Sequence, residues 1–179
     1  MGSNFRKAMM FVLKWEGGYV NHPHDVNGSN NKGITQKTYT EFLDNQDKEY
    51  RLIKDITDEE VLEIYKASFW DHISGDSLPY RIALPLFDYA ITSGVYRSVT
   101  DLQKILGVPP DGVFNPLTSE KLHEYIDTYG IDRLIFKFIQ ARHDHYLKIG
   151  SRVEYIAILK NWMTRLWDVY EEVFVCEKD

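Results

Sequence analysis

Helix start and stop signals recur along almost the whole chain, and no stretch alternates apolar and polar residues as a half-buried strand would. Ser3 or Asn4 can cap a first helix through Glu16, which Gly17-Gly18 ends by taking positive φ. Thr35 or Gln36 opens a second helix to about Leu43. Thr57-Asp58-Glu59-Glu60 has the form of a capping box and starts a helix to about Trp70. Pro79 suits the first turn of the next, which stops near Gly94, and Gly107 stops another over residues 96 to 106. Asn115-Pro116 supplies a cap and a proline at the first helical position, with Gly130 as the stop. Residues 131 to 149 follow, and Ser151-Arg152-Val153-Glu154 resembles a second capping box, opening a helix to about Val173. The expected fold class is therefore mainly α, with about seven or eight helices. Any β structure is confined to the turn-rich residues 19 to 34, as a long loop or a short β-hairpin.

A chain of 179 residues, 44% hydrophobic, can bury a core without disulfides or metals. With 21 basic and 27 acidic residues the net charge is −6, which gives no support to nucleic acid as a partner. The single Cys176 cannot form an internal disulfide. AMMFVL near the N-terminus is too short for a signal-peptide core, and no later run is long enough to span a bilayer. The expectation is synthesis in the cytoplasm without a signal peptide, with no membrane insertion.

The stretch WEGGYVNHPHDVNGSNNKGIT, residues 15 to 35, holds the residues that could do chemistry. At about 100° per residue, Glu16 falls on the same side of the first helix as Phe5, Met9 and Val12, opposite Arg6, Lys7 and Lys14. Partial burial and the negative end of a helix dipole both favour a protonated carboxyl, the form a general acid needs. The plainer alternative is a helix-end Glu that caps or pairs. Asp25 sits among Asn, Gly and Ser, which would keep it hydrated and ionised. One carboxyl in an apolar setting and one in a polar setting is the division of labour glycoside hydrolysis uses. Asp25 could equally be an Asx-turn residue beside Asn27 and Gly28. Thr35 could hold a water, cap the following helix, or do both. His22 and His24 flank Pro23 beside Asp25, a weak metal signal with no supporting pattern. His143 and His145 fall on different faces of one helix. No metal or other cofactor is expected.

These segments resemble glycoside hydrolase family 108, the N-acetylmuramidases found as phage endolysins and secretion activator proteins. The resemblance rests on Glu16-Gly17-Gly18-Tyr19, Asn21-His22-Pro23-His24-Asp25 and Gly33-Ile34-Thr35. It continues through YKASFW (Tyr65 to Trp70), FDYAITSG (Phe87 to Gly94) and LQKILGVPPDGVFNPLTSEKL, which looks like a peptidoglycan-binding-type region, and ends with NWMTRL (Asn161 to Leu166). It implies a lysozyme-like helical fold, with residues 1–94 as the catalytic region and 95–179 as the wall-binding part of the same globule. It also implies cleavage of the β-1,4 bond after N-acetylmuramic acid in peptidoglycan, with Glu16 as the acid. By analogy with phage lysozymes, Asp25 becomes the second carboxylate and Thr35 the water-positioning hydroxyl. Two departures stand out: Thr92 where the family often has Asn, and Val26-Asn27-Gly28 where it has Pro-Gly-Gly. Tyr19, Asn27 and Trp162 are candidate substrate-binding residues, with core packing the alternative for Trp162. Peptidoglycan glycan strands are the expected partner of a monomer that reaches the wall by a separate release route. The competing readings are a non-catalytic wall binder or secretion helper, and a helical interaction protein.

Overall fold

The computed structural model describes residues 2–21, 29–151 and 155–175. Among them the chain forms eight α-helices, a few short 3₁₀ and π turns, and one two-stranded antiparallel hairpin, so the mainly α expectation holds. The second capping box, Ser151 to Glu154, falls largely outside these residues. Two compact units meet in sequence at Ser68 and Phe69.

In the first unit, α1 (Ser3–Glu16) buries Phe5, Ala8, Met9, Phe11 and Val12. It ends where Gly17 takes φ 70°, a conformation that costs a residue with a Cβ about 1–2 kcal/mol. The strands β1 (Asn30–Asn31) and β2 (Ile34–Thr35) are joined by Lys32 and Gly33. Both take positive φ, 51° and 79°, the requirement of a type I′ turn, whose twist matches that of paired strands. A bridge from Val20 to Asn30 brings the chain leaving α1 alongside β1. The hairpin thus lies where the turn-rich segment predicts it, extending one residue further, to Thr35.

α2 (Gln36–Asp44) begins at Thr35, whose side chain caps it. The Gln36 side chain accepts from the Ile53 N–H at 2.7 Å and donates to the Arg51 carbonyl at 3.0 Å, while Asn31 donates to the Ile53 carbonyl at 3.2 Å. These bonds tie hairpin and helix start to the segment before α3 (Asp58–Tyr65). The capping box at Thr57 is present, and its Glu60 does more than cap. Buried, it accepts from the Tyr39 hydroxyl at 2.8 Å and pairs with Arg51. The helix continues to Trp70 as expected, with its last stretch, Lys66–Trp70, widened into a π turn.

In the second unit, α4 (Tyr80–Ser93) packs against α5 (Val95–Leu106), α7 (Ile131–Gly150) and α8 (Ile156–Phe174). The remaining helix, α6 (Pro116–Tyr129), packs against α5 and α7. Pro79 occupies the cap position of α4 rather than its first turn. Buried Gln103 organises the turn before α6: its carbonyl accepts from Gly112 N–H at 2.9 Å, and its amide donates to Asp111 at 2.7 Å and to the Val113 carbonyl at 3.0 Å.

α4 is buried along nearly its whole length, Asp88 included. Asp88 is held between Arg142 of α7, at 2.6 Å, and Arg165 of α8, whose Nε donates at 2.8 Å. Arg142 also donates to the Tyr146 hydroxyl at 2.9 Å and lies over the Tyr89 and Tyr146 rings. Thr92 joins this cluster through a 2.8 Å bond to the Tyr146 hydroxyl.

Burial disfavours charge on both Asp88 and Glu60, and their partners outweigh it. Arg142 and Arg165 hold Asp88 below the usual carboxylate range. The Thr57 N–H, Tyr39 hydroxyl and Arg51 do the same for Glu60. A depressed carboxyl contributes stability that is complete above its unfolded pKa, about 4, and is lost as pH falls through the folded value. Thermal unfolding followed by circular dichroism should therefore show the midpoint dropping steeply below about pH 4. A midpoint unchanged down to about pH 2.5 would show that these carboxyls are not held as described.

Candidate active site

Three pieces of the first unit converge on Gly33. Glu16, the last residue of α1, is half-buried at the end of the stripe that buries Phe5, Met9 and Val12. Tyr65, the last residue of α3, donates its hydroxyl proton to the Lys32 carbonyl at 2.8 Å. Lys32 is further held by an ion pair to Asp58 in the first turn of α3. A Cβ built on Gly33 would lie 2.6 Å from Glu16 Oε2 and would collide with the Tyr65 hydroxyl.

Glycine is thus required there twice over, for its positive φ and for the approach of the carboxyl. Gly33→Ala is expected to cost about 1–2 kcal/mol from the backbone alone. It should also push the Glu16 carboxyl aside, because the added Cβ would lie 2.6 Å from Oε2. Thermal unfolding checks this; a variant as stable as the parent would show that the turn does not need a bare residue at position 33.

What the arrangement can do chemically follows from its parts. The carboxyl sits at a helix end, against Gly33, a position of the turn where a Cβ would crowd it. Tyr65 is committed to the turn, so it positions Lys32 and Gly33, and through them the surface that meets Glu16.

The family model for glycosyl hydrolase 108 matches residues 9–94. A solved structure of SagA from Brucella abortus matches with 30% sequence identity and a TM-score of 0.78, over 98% of this chain and 96% of that one. The chain belongs to glycosyl hydrolase family 108. No curated protein matches it.

The span matched by family 108 contains Glu16, the whole hairpin and Tyr65, and ends at Gly94, where α4 stops. The lysozyme-like, mainly α fold goes with that membership. Of the other candidate residues, Thr35 follows Gly33 by two positions on the same strand arm. Its hydroxyl accepts from the Thr38 N–H at 3.2 Å and bonds the Thr38 hydroxyl at 3.0 Å. A hydroxyl has one proton and two lone pairs, so capping leaves one position for a water. Tyr19 is 47% exposed, next to the Val20 bridge. Asp25 and Asn27, with His22 and His24, lie outside the described residues. Trp162 belongs to the second unit, where it stacks on Tyr146 at 5.4 Å and tilts against Tyr155 at 5.8 Å. Among the described residues no three His, Cys, Asp or Glu side chains are grouped to hold a metal ion. No described helix is long and apolar enough to cross a membrane.

Tyr65 opens the YKASFW segment, but neither spacing nor motif gives it a role at the site. Its one signal is that, like Glu16, it closes a buried stripe, after Val61 and Ile64, with a polar atom at its tip.

Proposed function

We propose that this family 108 chain is an N-acetylmuramidase, hydrolysing the β-1,4 bond between N-acetylmuramic acid and N-acetylglucosamine in peptidoglycan. The observation that carries the proposal is the Glu16 carboxyl ending the buried stripe of α1 and lying against Gly33. Glu16 gives its proton to the glycosidic oxygen as the bond breaks. Asp25 supplies the second carboxylate, stabilising positive charge on the sugar or activating water, and Thr35 uses its remaining hydrogen-bonding position to hold that water. Tyr19, Asn27 and Trp162 are proposed to contact the glycan. Residues 1–94 carry catalysis and 95–179 contribute wall binding. The protein works as a monomer on the wall, after release from the cytoplasm by a route of its own.

The test is digestion of purified peptidoglycan followed by borohydride reduction of the new sugar ends. Muramitol is the expected product. Glucosaminitol would place the cut at the other glycosidic bond, and sedimentation with the wall without new reducing ends would make the protein a binder.

A further inference from the structure

In the second unit a groove of about 490 Å³ opens between α5, α6 and α7. Lys104, Arg133 and Lys137 line it, together with Tyr125 and Tyr129. The chain as a whole is acidic, at −6, so three cations around one hollow are a local reversal of sign. The single carboxylate in the lining, Asp101, is already engaged. It takes Arg97 at 2.8 Å, Lys104 at 3.2 Å and the Tyr89 hydroxyl at 3.0 Å. The cations bound to Asp101 therefore more than offset it, and Arg133 and Lys137 remain exposed on α7.

The tyrosines add a second recognition element. Their rings lie 4.8 Å apart and tilted at 53°, and the Arg133 guanidinium sits 5.7 Å from the Tyr129 ring centre. Tyr129 is 56% exposed, a large apolar face left to the solvent beside fixed positive charge. A hollow of this size is within the range of about 300–1,000 Å³ that ligand clefts span. Cations beside aromatic faces suit a ligand that carries both carboxylates and apolar groups.

We propose that this groove binds a carboxylate-bearing peptide, the acidic stem peptide that peptidoglycan carries on its muramic acid. The choice of polymer rests on the muramidase reading; the charge and shape of the groove do not. Sugar cleavage in the first unit and peptide capture in the second would then read two chemically different parts of one wall polymer.

The test is calorimetric titration of the full chain with a free acidic stem tetrapeptide and with the same peptide amidated at every carboxyl. The acidic peptide should bind, and amidation should weaken it about tenfold or more, as loss of charge-assisted hydrogen bonds does. Arg133→Glu/Lys137→Glu should weaken it by a similar factor with an unchanged thermal midpoint, while Glu16→Gln should bind it as the parent does. Equal affinity for the amidated peptide, no binding by the parent, or inorganic polyphosphate competing as well as the peptide would each overturn the proposal. None of these titrations depends on hydrolysis, so peptide capture by the groove stands or falls separately from muramidase activity.

Discussion

Glu16→Gln is expected to lower glycan hydrolysis by about 10²–10⁴-fold, the usual contribution of a positioned general acid. The amide has the shape of the carboxyl and keeps an oxygen and a nitrogen for hydrogen bonds, but it has no proton to give at any working pH. Packing should hardly change. Glu16 is half-buried, and its neighbour at the turn is the backbone of Gly33, which an amide can approach as closely as a carboxyl. Thermal unfolding should therefore match that of the parent within about 1 kcal/mol, as for most isosteric changes at partly exposed sites. A folded variant within a few-fold of parental rate would place the acid elsewhere.

Asp88→Ala is expected to lower the unfolding free energy by about 3–5 kcal/mol. The carboxylate is wholly buried and joins α4 to both α7 and α8 through Arg142 and Arg165. Removing it leaves a cavity and takes away the carboxylate that the two guanidiniums share. The cost comes from breaking a buried ion triad, so replacing Asp88, Arg142 and Arg165 together by Leu, Met and Met should recover much of the loss, since apolar side chains of similar volume often do as well as such a triad. Denaturant unfolding of parent, single and triple variants decides this. A loss below about 1 kcal/mol in Asp88→Ala would mean that the arginines find other partners or water.

The helices are legible in the sequence because their ends are written locally. Thr57 with Glu60, Asn115 with Pro116, and the glycines after Glu16, Leu106 and Tyr129 act within one turn of chain, and each does what its residue type dictates. Glu16 is legible because periodicity puts it on the buried side of α1. The hairpin can be located from the sequence but not drawn, since nothing in NNKGIT forces Lys32 into positive φ except the pairing on either side of it. Tyr65 and the Asp88 cluster are hidden for a different reason. Their partners lie 33, 54 and 77 residues away, and a hydroxyl or a charge on an apolar face announces that it needs a partner without naming which. Asp88 inside LFDYA carries that signal plainly; only packing assigns it to Arg142 and Arg165.

Mass analysis of one peptidoglycan preparation, digested side by side by the parent and by Glu16→Gln, tests the central claim most directly. The parent should release disaccharide-peptides ending in reducing N-acetylmuramic acid, and the variant should leave the polymer essentially intact. The same muropeptides appearing from both at comparable rates would contradict the assignment of Glu16 as the acid.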